Sequence, residues 1–387
     1  MELEAKYLKY KGKYARLKAQ IAGSALPASA PASAPASASA YAPASLPACA
    51  PASRFEGRVA IVFGGTTGIG LETALHFLRE GMKVVVVCGR HQEKWDLSLR
   101  RPDVETASRR GRLRYRRCDV RVYSQVDAVV RAVFDEHGRL DVCFNNAGVQ
   151  PVGSGDITEM EFQSSLEPDG SVVFRIPPAP CRYGTTPTSP ECENPIATTA
   201  IGTFNCVKAE LTHLYARQPG GPVSIINTVS RNAILPDSHR PLYAGSKAFV
   251  VTLTKSVAGQ VAQRCLREAR APIRVNCVAP GPILTPLEIP IYLPDADPFG
   301  PLSPSQYAEF NRKGALGVPM GRTGLPWEVA TVVCFLADEK TSGYITGTTV
   351  EVDGGYCSAP LFGASVAYPL PEPAPGSEPG PARATKP

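Results

Sequence analysis

One stretch limits this chain's fold more than any other. The apolar run Val59–Phe63 ends in Gly64-Gly65-Thr66-Thr67-Gly68-Ile69-Gly70 and passes straight into a helical pattern through Leu71, Ala74, Leu75 and Leu78. A short apolar run bounded by turn residues is a buried strand, and apolar residues three and four apart make one face of a helix. Glycines at the junction let the backbone turn tightly and come close to a pyrophosphate, whose charge the helix N-terminus meets. A strand, a glycine turn and a helix in that order predict a parallel sheet.

The rest of the chain repeats the pattern. Apolar or alternating runs at 84–88, 112–118, 141–144, 223–227, 274–278 and 348–352 read as strands, and helical periodicity covers 126–134, 243–269 and 326–337. Strands alternating with helices of ten or more residues mean βαβ units with right-handed crossovers. Residues 54–357 fit one large α/β domain, a doubly wound parallel sheet, better than two small ones.

Composition assigns the termini to something else. In 22–53, 14 Ala, 7 Ser and 6 Pro fill 27 of 32 positions, leaving almost nothing to bury. That stretch is a flexible linker, and 358–387, with eight prolines, is a second extension. Before the linker, Leu3, Tyr7, Tyr10, Tyr14, Leu17 and Ile21 recur at spacings of four and three, as in a short basic amphipathic helix or coiled-coil arm. Residues 168–197 carry seven prolines and two cysteines with no period of 2 or 3.6, and read as an inserted surface loop.

No run is long and apolar enough for a spanning helix, and the first twenty residues lack a signal-peptide core. A net charge of +6 does not by itself call for nucleic acid. The arginines at 109, 110, 112, 114, 116 and 117 have only Tyr115 among them, where a nucleic-acid surface would interleave aromatics. The eleven cysteines form no C-x-x-C pair, so no zinc site is expected, and a reducing, cytoplasmic location fits them best.

Two segments carry chemistry. Tyr243-Ala-Gly-Ser-Lys247 sets a phenol and an ammonium one helical turn apart. A nearby cation favours phenolate and brings the Tyr toward the range where it exchanges protons. Ser230 lies thirteen residues upstream, just past the strand at 223–227, where active sites of such sheets gather.

The glycine turn, Asn145-Asn146-Ala147-Gly148, Ser230 and Tyr243-x-x-x-Lys247 together resemble the short-chain dehydrogenase/reductase family in order and spacing. Cys118-Asp119-Val120, Pro280-Gly281-Pro282-Ile283-Leu284-Thr285, Tyr344-Ile345-Thr346-Gly347 and Asp353-Gly354-Gly355 extend the resemblance over 56–357, apart from the insertion. It implies a Rossmann-type sheet, bound NAD(P), a small carbonyl or alcohol substrate, and homodimers or homotetramers paired through helices near 198–217 and 243–262. By that resemblance Tyr243 is the general acid/base. Lys247 lowers its pKa and holds the nicotinamide ribose, and Ser230 binds the substrate oxygen. Gly64, Thr66, Thr67, Gly68, Ile69 and Gly70 face the cofactor phosphates and ribose. Asp119 and Val120 face the adenine, Asn146, Ala147 and Gly148 the adenosine side, and Pro280, Gly281, Ile283 and Thr285 the nicotinamide end.

Two positions depart from the family's pattern. Phe63 replaces a Thr and adds bulk to the turn. Thr199 stands where the family has an Asn whose backbone carbonyl holds a relay water and whose side chain helps fix a kink in its helix. At the second strand's end, Gly89-Arg90 supplies no acid for a ribose hydroxyl, and Arg90 can pair with a 2′-phosphate, so NADP is expected before NAD. The alternative is a catalytically impaired NAD(P)-binding or scaffold protein, which the two departures and the insertion favour. The opening Lys-Tyr-Leu-Lys-Tyr-Lys-x-Lys-Tyr also resembles openings of large DNA virus proteins.

Overall fold

The computed structural model describes residues 53–150, 163–166, 172–175, 195–217 and 221–358. The basic segment 1–21, most of the linker and nearly all of the C-terminal extension lie outside the described residues.

Seven strands form one parallel sheet: β1 (Val59–Phe63), β2 (Val84–Gly89), β3 (Leu113–Arg117), β4 (Val142–Asn145), β7 (Val223–Thr228), β8 (Ile273–Pro280) and β9 (Thr349–Val352). Their order is β3-β2-β1-β4-β7-β8-β9, with β1 paired to both β2 and β4. The chain therefore runs outward from β1 in both directions. That reversal leaves a crevice at the strands' carboxyl ends, where ligands of such sheets bind.

Side-chain alternation divides the core into two layers. Val59, Ile61 and Phe63 pack on one face with the helices α2 (Tyr123–His137), α3 (Gly202–Arg217) and α4 (Pro241–Arg267). Ala60 and Val62 pack on the other with α1 (Gly68–Arg79) and α5 (Pro326–Ala337). Phe63 is fully buried in the first layer, so its bulk goes into the core beneath the glycine turn. Cys88, Cys118 and Cys143 are buried free thiols, as their apolar neighbours predict. No helix among the described residues is long and apolar enough to cross a membrane.

β3 is the sheet's edge, and its arginines serve the fold. Arg114 and Arg116 both pair with Glu136 on α2, and Arg112 donates to the carbonyls of Leu78 and Met82 at 2.9 and 2.8 Å. They are ion-paired and capping groups of an edge strand.

The insertion is not wholly irregular. Val172–Arg175 is a strand, β6, paired antiparallel with β5 (Gln163–Leu166), so the expectation of a structureless loop fails there. Two β-branched residues and an aromatic in Val172-Val173-Phe174 favour extension, and Pro168-Asp169-Gly170 between the strands is a turn signal. The stretch 176–194 lies outside the described residues. Residues 92–98, 102–109 and 304–314 form further short helices that periodicity did not single out.

One carboxyl lies inside this core. Glu210 of α3 is fully buried and accepts from Asn145 Nδ2 at 3.2 Å, and Asn145 also donates to Asn227 Oδ1 at 2.9 Å. Burial pushes its pKa up to about 8, and hydrogen bonds from Asn145 and Cys143 offset only part of that. An unfolded Glu titrates near ~4.3. Between the two values the folded chain keeps a proton that the unfolded chain releases. This contribution to stability is therefore complete below about pH 4.3 and is lost as the pH rises through about 8. Glu210→Gln, which cannot ionise, should melt higher than the parent by a margin that widens from pH 5 to pH 8. Thermal melts showing a constant or shrinking margin would contradict a protonated Glu210.

Candidate functional site

The glycine turn is built by exclusion. Gly64 has φ +74°, and a Cβ there would lie 2.6 Å from the backbone N of Ala147. A Cβ on Gly70 would run into the carbonyl oxygen of Gly64 and lie 2.8 Å from Asn146 Nδ2. The α1 N-terminus that follows has no side-chain cap at Thr67 and no acidic residue in its first turn. Its first N–H groups are thus available to an anion, and the macrodipole favours one.

A chain of hydrogen bonds joins this turn to the lysine. Asn146 Nδ2 donates to the Gly64 carbonyl at 3.0 Å, Thr228 Oγ1 donates to Asn146 Oδ1 at 3.1 Å, and Lys247 Nζ donates to the Thr228 carbonyl at 3.0 Å. Ser230, just past β7, accepts from the Asn232 N–H at 3.2 Å. Tyr243 and Lys247 start α4, both buried, with the ammonium 5.7 Å from the centre of the phenol ring.

These groups line a crevice of about 360 Å³ at the strands' carboxyl ends. Gly64, Thr66, Thr67, Gly68, Ile69, Arg90, Asp119, Val120 and Asn146 to Gly148 are on its wall. So are Ser230, Tyr243, Lys247, Pro280, Gly281, Ile283 and Thr285. Gly70 and Thr199 are not among its lining residues. Gly70 acts by letting Gly64 and Asn146 close up, and Thr198 lines the crevice beside Thr199. The sequence reading missed Thr228, Gln150 and Glu288, also on the wall. Thr228, the last residue of a strand, could have been found by that position; Glu288 has no local signature.

The electrostatics correct one expectation. Burial pushes the Tyr243 phenol up to about 12, and Glu288 adds to the rise, while Ser230, Arg240 and Arg231 pull it down. Burial also lowers the Lys247 ammonium to about 8. Burial favours the neutral form of both groups, so the phenol's net shift is upward even with the lysine one helical turn away.

Thr199 sits in an irregular turn at the entry to α3. Ile196–Ile201 is one wide π-helical turn leading into α3, so the break in the helix persists with Thr in place of Asn. The Thr199 carbonyl accepts the Gly202 N–H, and its fully buried hydroxyl has no hydrogen-bond partner among the described residues. A Cβ on Gly148 would lie 3.4 Å from that hydroxyl and 3.1 Å from Lys247 Nζ. The hydroxyl therefore stands near the ammonium.

Residues 58–172 match the model of the family described as short chain dehydrogenase, and 182–357 match that described as Enoyl-(Acyl carrier protein) reductase. An uncharacterized short-chain type dehydrogenase/reductase of Acanthamoeba polyphaga mimivirus is 39% identical over 80% of this chain and 100% of its own length. The chain belongs to the short-chain dehydrogenase/reductase family. Another relative, the 3-oxoacyl-(acyl-carrier-protein) reductase of Thermotoga maritima, is 29% identical over 78% of this chain and 98% of its own. Among solved structures, the ligand-free aldohexose dehydrogenase of Thermoplasma acidophilum superposes with a TM-score of 0.60 at 25% identity, covering 81% of this chain and 98% of that one. As a short-chain dehydrogenase/reductase, the protein is an oxidoreductase that uses a nicotinamide cofactor. The residues fit one: the glycine cradle, an uncapped helix N-terminus and a buried ammonium face the same crevice.

Proposed function

We propose that this protein transfers hydride between NADP and a ketone/secondary alcohol pair, with Tyr243 as the general acid/base. The observation that carries the reading is the convergence of Ser230, Tyr243 and Lys247 on the crevice that the glycine turn closes. When bound, the nicotinamide supplies or accepts the hydride. Ser230 holds the substrate oxygen. Tyr243, protonated across the neutral range, delivers a proton to that oxygen as charge develops there. Lys247 holds the ribose from its anchor on the Thr228 carbonyl. Thr199 keeps the wide turn beside the ammonium; its carbonyl shares the Gly202 N–H with that of Ala197 and keeps a lone pair for a relay water.

The NADP preference rests on the end of β2. A Cβ on Gly89 would lie 2.8 Å from the Thr66 methyl, so no acidic side chain fits there without displacing Thr66. Arg90 follows on the crevice wall. Pairing of copies belongs to the same reading: α3 and α4 leave Phe204 and Phe249 each 43% exposed, in the helices that the resemblance assigns to subunit contacts.

The test is NADPH oxidation by the purified full chain against a broad carbonyl panel, with its mass read by light scattering. Turnover and a mass above one chain are expected. NADPH binding with no turnover on any carbonyl would favour the scaffold alternative.

A further inference from the structure

Beside the phenol the crevice carries a polar pair of its own. Gln150 follows β4, and Glu288 sits in the segment after β8; both line the wall with Ser230 and Tyr243. With its amide oriented to satisfy both neighbours, Gln150 accepts from Arg240 Nη1 and donates to Glu288 Oε1 at 3.2 Å. Glu288 is also hydrogen-bonded to Tyr292, and its charge is felt at the Tyr243 phenol. The carboxyl is thus fixed in place on the wall it shares with the reacting group.

A carboxylate offers about four lone-pair sites, and two protein partners leave some of them for a ligand's donors. An apolar substrate would strip water from Glu288 and return nothing, which is costly. Burial pushes the Glu288 carboxyl up to about 7, against the pull of Arg240, Arg231 and Tyr292, so from neutral pH upward an anionic substrate would meet a carboxylate of like charge. The nearby guanidiniums do not line the wall. Arg240 is held by Gln150 and lies 3.8 Å from Asp237, and Arg231 stacks 3.9 Å over the Tyr356 ring. What complements the pair is a neutral group with a hydroxyl to give.

On the dehydrogenase reading above, we propose that the substrate is a neutral, hydroxylated carbonyl/alcohol, a polyol or sugar-like molecule, one of whose hydroxyls donates to Glu288 while Gln150 holds that carboxyl in position. Specificity then comes from a half-buried acceptor that the substrate covers and that an analogue lacking the hydroxyl leaves unpaired. Sites built this way reject such analogues strongly, whereas an apolar pocket discriminates by only about 10- to 200-fold.

The experiment compares substrates that differ by one hydroxyl, cyclohexane-1,2-diol against cyclohexanol and an aldohexose against its 2-deoxy form, using the full chain with NADP. In the parent, kcat/KM should favour the hydroxylated member by roughly 100-fold or more. Glu288→Leu should collapse that ratio toward one, chiefly by raising KM for the hydroxylated member, and Glu288→Gln should keep part of it. Where Glu288→Leu does not fold, the parent's own ratio decides. A parent that turns over plain ketones or acyl thioesters and shows no preference for the added hydroxyl overturns the inference and leaves the dehydrogenase reading standing. Absence of turnover on every carbonyl and alcohol overturns both.

Discussion

Tyr243→Phe should fold, bind NADPH as the parent does, and lose turnover by about 10²–10⁴-fold, the usual worth of a positioned general acid. The ring is buried at the start of α4, and Phe keeps its packing against the same neighbours. What disappears is the hydroxyl, and with it the proton needed at the substrate oxygen. Among the groups at this end of the wall, the Glu288 carboxyl is already engaged by Gln150 and Tyr292. Ser230 is a far weaker acid, and the Lys247 ammonium is bound to the Thr228 carbonyl at 3.0 Å. The readouts are single-turnover NADPH oxidation and a melting curve. Full activity with an unchanged melt would remove Tyr243 from the mechanism, and a collapse of both would mark it as a packing residue.

The second large effect is expected at Arg90. NADPH should bind the parent more tightly than NADH, and Arg90→Asp should reverse the order. A guanidinium pairs with a phosphate through two parallel hydrogen bonds, whereas a carboxylate repels phosphate and accepts from a ribose hydroxyl. Hydrogen bonds to charged groups are worth about 1.5–3 kcal/mol, roughly a ten- to hundredfold change in affinity for each cofactor form. Asp119, also on the wall, is committed to Arg121 at 2.6 Å, which keeps its carboxyl below the usual range despite burial. It therefore does not take the place of the missing acid after β2. Titration of nicotinamide fluorescence measures both constants, and equal affinities in the parent would refute the assignment.

The fold was legible because its signals are local. Val59–Phe63, the glycines after it and the periodicity of the next helix each obey short-range rules, and β1 and α1 form where those rules place them. Strand bounds at β2, β4 and β7 differ from the expected ones by a residue or so, as fraying ends do. β6 was missed because a four-residue strand amid prolines has too few positions to show a period. The short helices at 92–98 and 304–314 are about two and three turns long, too brief for periodicity to separate from loop.

The sequence alone determined the family, the parallel sheet, the glycine turn and the set Ser230, Tyr243 and Lys247, because order and spacing along the chain carry them. Tertiary structure decided what depends on proximity between distant segments. Only packing puts Phe63 into the core, so that an oversized residue leaves the turn intact. Only the wide turn at 196–201 shows that a Thr can sit where the helix breaks. The Asn146–Thr228–Lys247 relay of hydrogen bonds spans residues 82 and 19 positions apart, which no window of sequence reveals. The same holds for Glu288, brought beside Gln150 and Tyr243 from a segment without a motif. Burial also reversed the expected effect on the phenol: adjacency of Tyr and Lys in sequence says they are neighbours, but the low dielectric around them sets which protonation states they hold.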